Sequence, residues 1–252
     1  MKELSRPIKL GSLYCKRKLS VEGEKMSGQI ILAGGAEFQK GYESPDKRAL
    51  ELAGGVDAYT VILPTANVQH PDWASREGVN WFKKLGATHV EGLAVTNRAS
   101  ANDPAMLEKI AAAKLIYLSG GDPGYLLTTL KNSACWEAAL GAWANGAVLG
   151  GSSAGAMAVC EFMYNPGTGQ VAHGLGLVPN LIVIPHHNSG SKNWFKTLYA
   201  TKPDAIILGI DEHTAAIGHD NDWRALGQGW ATVYRQGKPT KYASQQSFKL
   251  VI

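Results

Sequence analysis

Residues 147–159 read Ala-Val-Leu-Gly-Gly-Ser-Ser-Ala-Gly-Ala-Met-Ala-Val. The run opens as a short apolar strand and closes in small helix-forming residues, with Gly151-Ser152-Ser153-Ala154-Gly155 at the junction. A strand that breaks into a helix through G-x-S-x-G is the pattern of a nucleophile elbow, which lifts one serine above the end of a sheet. Glycines on both sides let the backbone bend without Cβ collisions. A helix N-terminus just beyond the serine favours negative charge developing there. Ser153 is therefore the candidate nucleophile. The same pentapeptide also occurs as a plain packing corner or phosphate cradle, so the rest of the chain has to decide.

Outward from that stretch the chain alternates short apolar runs with helical segments. Residues 29–33, 59–63, 89–95 and 115–118 have the length and composition of buried parallel strands. Residues 45–53, 71–85, 103–112 and 133–145 have helical character, with start signals such as Asp103-Pro104. This order predicts an α/β fold: a doubly wound, mostly parallel sheet with helices on both faces. Residues 181–184 and 205–210 read as further strands, with a helix over 192–201 between them. Four short runs within the last forty residues (215–219, 223–226, 232–235 and 247–251) predict antiparallel strands at the C-terminal edge. Residues 27–252 are expected to form one domain, and residues 1–26 a basic, disordered extension.

Charge supports that division. Of 25 Lys and Arg against 21 Asp and Glu, the first 26 residues hold seven basic and three acidic, and the other 226 hold 18 of each. The excess of +4 thus belongs to the terminus, which argues against a basic body for nucleic acid. With 45% hydrophobic and 18% charged residues the chain can bury a large core. No apolar run approaches the ~18 residues of a membrane helix. Cys15, Cys135 and Cys160 cannot all pair and form no CxxC motif, which predicts a reduced, cytoplasmic setting and no structural zinc.

Two more strand-to-helix turns carry chemistry, as expected at the carboxyl ends of a parallel sheet. After residues 115–118 come Gly120-Gly121-Asp122, where bare N–H groups can point at an oxyanion. Gly121 N–H and Ala154 N–H are the candidate pair, and Asp122 can cap the following helix. After residues 181–184 come Pro185-His186-His187-Asn188, delivering an imidazole base to the same end. Successive residues on an extended chain point to opposite sides, so His186 and His187 are poorly placed to share a metal ion, and no metal or cofactor is expected.

In this order the three turns make the chain resemble the serine peptidases that include dipeptidase E and cyanophycinase, built on a class I glutamine amidotransferase-like fold. Further elements of the resemblance are Gly34-Gly35-Ala36-Glu37, Gly174-Leu175-Gly176-Leu177 and Gly209-Ile210-Asp211-Glu212-His213-Thr214-Ala215. It implies Ser153 as nucleophile, His186 as base and the N–H groups of Gly121 and Ala154 as oxyanion hole. It implies an acid shortly after the nucleophile helix, where the one acid is Glu161. Asp211, Glu212 or a neutral amide (Asn165 or Gln170) are the alternatives. Asp122, His187, Asn188 and Glu212 are the candidate substrate-binding residues, with Lys192 a further candidate cation. The chain differs from the family at Pro123, where cyanophycinases carry a glutamine, and at His187, which replaces an aromatic. The expected partner is a small aspartyl-containing peptide, with no nucleic acid or membrane and a homodimer allowed. The rival expectation is a small-molecule-binding protein that kept the fold without a complete triad. Glutamine amidotransfer ranks lower, because it needs cysteine at the elbow and Cys160 lies two helical turns along.

Overall fold

Parallel strands need crossover connections, and the alternation of strand and helix up to residue 158 supplies them. The computed structural model describes residues 28–190 and 194–250, so the basic extension (1–26) and Lys192 lie outside the described residues. The first half runs β1 (Ile30–Ala33), α1 (Glu43–Leu52), β2 (Thr60–Leu63), α2 (Pro71–Lys84), β3 (Val90–Gly92), α3 (Pro104–Ala112) and β4 (Leu115–Leu118). It continues through α4 (Pro123–Leu130), α5 (Ala134–Ala144), β5 (Val148–Ser152) and the short α6 (Ala154–Ala158). Then come β6 (Phe162–Asn165), β7 (Gln170–His173), β8 (Leu181–Ile184), α7 (Phe195–Thr201) and β9 (Ile206–Ile210). The last strands are β10 (Thr214–His219), β11 (Asp222–Gly227), β12 (Ala231–Arg235), β13 (Lys238–Tyr242) and β14 (Ser247–Lys249).

Among the described residues the main sheet has eight strands in the order β14-β11-β10-β1-β5-β4-β2-β3. The five from β1 to β3 run parallel, and β10, β11 and β14 extend the sheet antiparallel beside β1. Strands β1, β2, β4 and β5 are buried on both faces. Leu32, Leu63, Leu118 and Leu149 face a core shared with α3 to α6, while Ile31, Ile62, Tyr117 and Val148 face α1 and α2. This two-sided burial is why the strands read as unbroken apolar runs. Side chains of Asp103, Asp122 and Ser133 accept from the N–H groups of Ala105, Tyr125 and Trp136, capping α3, α4 and α5. Each such cap is worth about 1 kcal/mol.

A second sheet, β13-β12-β9-β8, departs from the single sheet expected of the sequence. The C-terminal strands do not form one edge: β10, β11 and β14 join the main sheet, whereas β12 and β13 pair onto β9. The crossing is made at residues 228–230. There the N–H groups of Gln228, Gly229 and Trp230 donate to His213 O, Thr214 Oγ1 and Asp211 Oδ2. Residues 162–173, which show no clear period in sequence, fold into the β6–β7 hairpin around Asn-Pro-Gly-Thr-Gly. The strand β13 is likewise invisible in sequence, because Lys-Pro-Thr-Lys-Tyr is an exposed edge without apolar alternation.

One buried group opposes the fold at neutral pH. Asp46 is fully buried; its Oδ2 accepts from Trp81 Nε1 at 2.8 Å, while Oδ1 has no hydrogen-bond partner among the described residues. Burial pushes its carboxyl well above the usual range, against the lowering effect of the Trp81 bond. The folded chain therefore holds a proton that the unfolded chain releases above about pH 4. This contribution to stability is complete below that pH and declines as pH rises toward the folded value. D46N keeps an acceptor for Trp81 and removes the titration. Thermal melts should show it above wild type by about 2–4 °C at pH 8, a difference of about 1 kcal/mol, and the gap should close at pH 4. An equal gap at both pH values would contradict this assignment.

Candidate active site

The strand ends meet in one place. Ser153 follows β5 directly and has φ +47° and ψ −107°, a backbone conformation that costs a non-glycine residue about 1–3 kcal/mol and collects at functional sites. Its N–H donates to Ala33 O and its C=O accepts from Met157 N, so the flanking β1 and α6 hold the bend. His186 also has positive φ, +48°, and its N–H donates to Gly34 O at 2.7 Å. These bonds bring Ser153 Oγ to 2.9 Å from His186 Nε2.

The other imidazole nitrogen finds an acid. His186 Nδ1 lies 2.8 Å from Glu212 Oε1. A carboxylate only accepts, so Nδ1 carries the hydrogen, and Nε2 is left to accept from the Ser153 hydroxyl. Glu212 is fixed by its own neighbours: its N–H donates to Asn188 Oδ1, and Ser189 Oγ donates to Oε1 at 3.3 Å. The His186 bond, ahead of smaller charge effects, holds the Glu212 carboxyl below the usual range and keeps it ionised.

The acid beside His186 is thus Glu212, and the assignment to Glu161 is corrected. Glu161 Oε2 accepts from Asn180 N at 2.7 Å, tying the end of α6 to the start of β8. The reason is topological: the segment after α6 turns away as a hairpin, whereas β8 and β9 pair in parallel and end side by side. The neutral-amide alternatives fall elsewhere too, since Asn165 Oδ1 accepts from Gly167 N and Gln170 is exposed in β7.

Three substrate-binding candidates also have structural partners. His187 turns away from Ser153: Nδ1 lies 3.2 Å from Asp211 Oδ1 and Nε2 lies 2.9 Å from Tyr234 Oη, with the side chain 11% exposed. Asn188 braces the Glu212 backbone. Asp122 caps α4 through Tyr125 N. None of these positions needs a ligand to explain it.

The Gly120-Gly121 turn lies against the same centre. Gly121 has φ +144°, and a Cβ there would fall 2.2 Å from Ala66 O, so no larger residue fits. Gly121 N–H makes no hydrogen bond among the described residues, and Ala154 N–H heads α6 without an intrahelical acceptor. A cleft of about 380 Å³ opens beside Gly120 between Glu37, Phe38, Trp73 and Glu77, with Trp73 55% exposed. Glu37, which in sequence stands out only as the end of a glycine motif, reaches Gly120 N and Ser152 Oγ at 2.8 and 2.7 Å. Cys160 is fully buried, and burial pushes its thiol up, away from the thiolate that amidotransfer would require.

A hydroxyl on a strained turn, an imidazole within hydrogen-bond reach of it, a paired carboxylate and two N–H groups without acceptors among the described residues can together transfer an acyl group. No helix among the described residues is long and apolar enough to cross a membrane. Comparison with known proteins points the same way. The cyanophycinase of Synechococcus elongatus is 30% identical over 230 residues, which cover 86% of this chain and 71% of that protein. The cyanophycinase of Geminocystis herdmanii is 28% identical over 220 residues, covering 82% and 80%. The crystal structure of a peptidase from an acI-B1 Actinobacterium superposes with a TM-score of 0.81 at 28% identity, over 90% of this chain and 98% of that one. A putative peptidase E protein from Listeria monocytogenes, with a TM-score of 0.56 at 19% identity over 83% and 99% of the two chains, shares the fold. The model of peptidase family S51 matches residues 30–226. The chain belongs to peptidase family S51 and is a peptidase of the serine type.

Proposed function

We propose that this peptidase hydrolyses peptide or isopeptide bonds of small aspartyl-containing substrates through an acyl-enzyme on Ser153. The observation that carries the reading is the unbroken hydrogen-bond chain Ser153–His186–Glu212, at 2.9 and 2.8 Å. Ser153 Oγ attacks the scissile carbonyl while His186 Nε2 takes its proton. Glu212 holds the imidazole tautomer and balances the imidazolium. The N–H groups of Gly121 and Ala154 receive the oxyanion, each such donor being worth about 10²–10³ in rate. His186 then returns the proton to the leaving amine, and water enters the vacated position to release the acid product. The aspartyl preference follows the cyanophycinase and peptidase E likeness.

The rival reading, a binding protein without a complete triad, drew its motive from the missing acid after α6. The Glu212 carboxylate at 2.8 Å from His186 Nδ1 supports the hydrolase reading over it. The test is labelling with a fluorophosphonate followed by intact mass measurement. The wild-type chain should gain one phosphonyl adduct and Ser153→Ala none. Equal labelling of both proteins would overturn the assignment of the nucleophile.

A further inference from the structure

We infer that Glu37 is a positioning residue that clamps together the two turns forming the oxyanion hole. The inference rests on the serine-hydrolase reading above and adds to it a residue outside the triad. One carboxylate spans the gap: Glu37 Oε1 accepts from Gly120 N at 2.8 Å, and Oε2 accepts from Ser152 Oγ at 2.7 Å. Gly120 immediately precedes Gly121 and belongs to the turn after β4. Ser152 immediately precedes Ser153 and ends β5. The two bonds therefore fix the separation of the two turns that supply Gly121 N–H and Ala154 N–H, one residue from each donor or its neighbour.

Three further features fit a clamp better than incidental contact. Ser152 is fully buried, so its hydroxyl needs a protein partner, and Glu37 supplies it. Gly120 leaves room for the carboxylate, because a Cβ there would stand 2.6 Å from Glu37 Oε1 and 3.4 Å from Ser153 Cβ. The backbone is bent on both sides of the residue, with Ala36 at φ +61° and Phe38 at φ +60°. The Phe38 ring anchors the bend against Phe82 and Tyr117, at centroid distances of 6.2 and 5.2 Å. Strained backbone of this kind persists only where its surroundings over-determine it.

A negative charge beside an oxyanion hole opposes the charge that develops there. Its presence is explained by what it holds: the carboxylate accepts from two donors at once, and it occupies the Gly120 N–H while the Gly121 N–H has no acceptor among the described residues. Glutamine can reproduce the clamp, with its amide oxygen accepting from Gly120 N and its NH₂ donating to Ser152 Oγ. Alanine cannot.

The experiment measures the limiting rate and the half-saturating concentration for inactivation by a fluorophosphonate, with wild type, Glu37→Ala, Glu37→Gln, Ser152→Ala and Ser153→Ala, alongside melting temperatures. A misplaced hole should lower the limiting rate of Glu37→Ala by about 10²-fold, the scale of one lost oxyanion donor, with half-saturation changed less than about threefold. Glu37→Gln should recover most of that loss. Ser152→Ala, which cuts one end of the clamp, should fall about three- to tenfold and keeps the test alive should the Glu37→Ala chain not fold. A residue serving only stability would lower melting temperatures and leave the limiting rates of the folded variants alone. Folded Glu37→Ala or Ser152→Ala reacting at the wild-type limiting rate overturns the clamp while leaving the nucleophile intact. Wild type failing to react, or Ser153→Ala reacting equally, overturns the underlying serine reading and the clamp with it.

Discussion

Glu212→Gln should lower turnover of an aspartyl peptide by about 10³–10⁴-fold, the scale seen when the acid of a serine triad is replaced by its amide. A carboxylate obliges His186 Nδ1 to carry the hydrogen. An amide can instead donate to Nδ1, which places the hydrogen on Nε2, facing Ser153 Oγ where a base is needed. The imidazolium formed during attack also loses its counter-charge. The Glu212 carboxyl is held low by His186, so the wild-type pair stays intact to more acidic pH than an isolated glutamate would. Glu161→Gln is the matched comparison, since it alters the sequence neighbour of the nucleophile helix and leaves an acceptor for Asn180 N. It should stay within about threefold of wild type. The reverse ranking of the two variants would return the acid to Glu161.

Gly35→Ala should be nearly as damaging, by a different route. The His186 ring lies so close to Gly35 that a Cβ would fall 2.2 Å from Cε1 and 2.8 Å from both ring nitrogens. The residue also has φ +118°, which L-residues rarely adopt. Turnover should drop by about 10²-fold or more, as expected for a displacement of about 1 Å in a reacting group. Gly54→Ala separates collision from strain: Gly54 has φ +110°, but a Cβ there would meet no atom within 4 Å. Melting and activity assays should find Gly54→Ala destabilised and active, and Gly35→Ala destabilised and nearly inactive. Two variants of equal activity would mean the glycine serves the turn alone.

The difference between Ser153 and Glu212 explains what the sequence could and could not convey. Ser153, His186 and Gly121 each sit in a local pattern, a strand running into a glycine turn or a proline–histidine step. Such patterns survive without knowledge of contacts. Glu212 is separated from His186 by 26 positions and is brought to it by the register of two strands. Ile184 of β8 pairs with Gly209 of β9, so the residues just beyond each strand, 186–187 and 211–212, come side by side. Alternation then sorts them into two pairs, with His186 and Glu212 toward Ser153 and His187 and Asp211 toward Tyr234. The resemblance pointed to the segment after α6, where Glu161 is the one acid, whereas the pairing of β8 with β9 sets Glu212 beside His186. The parallel strands β1, β2 and β4 were legible because they are short runs of buried, mostly apolar residues. The split of the last strands was not, since a short antiparallel strand carries no mark of which neighbour it will join.

Ser153 follows a strand of the eight-stranded sheet, while His186 and Glu212 follow strands of the four-stranded one. The 2.9 Å between Ser153 and His186 is therefore a gauge of how the two sheets are seated on one another. Leu181, Val183, Leu208 and Val233 share one core with Leu32, Leu149 and Ala216 of the main sheet, and at the strand ends His186 N–H on Gly34 O and His213 N–H on Gly35 O tie the two sheets. A slip of about an ångström at this seam would part Ser153 from His186 with both sheets still folded, a displacement that costs a reacting pair about 10²-fold in rate. The Ser153–His186 contact is thus a property of the joint between the two sheets rather than of either one.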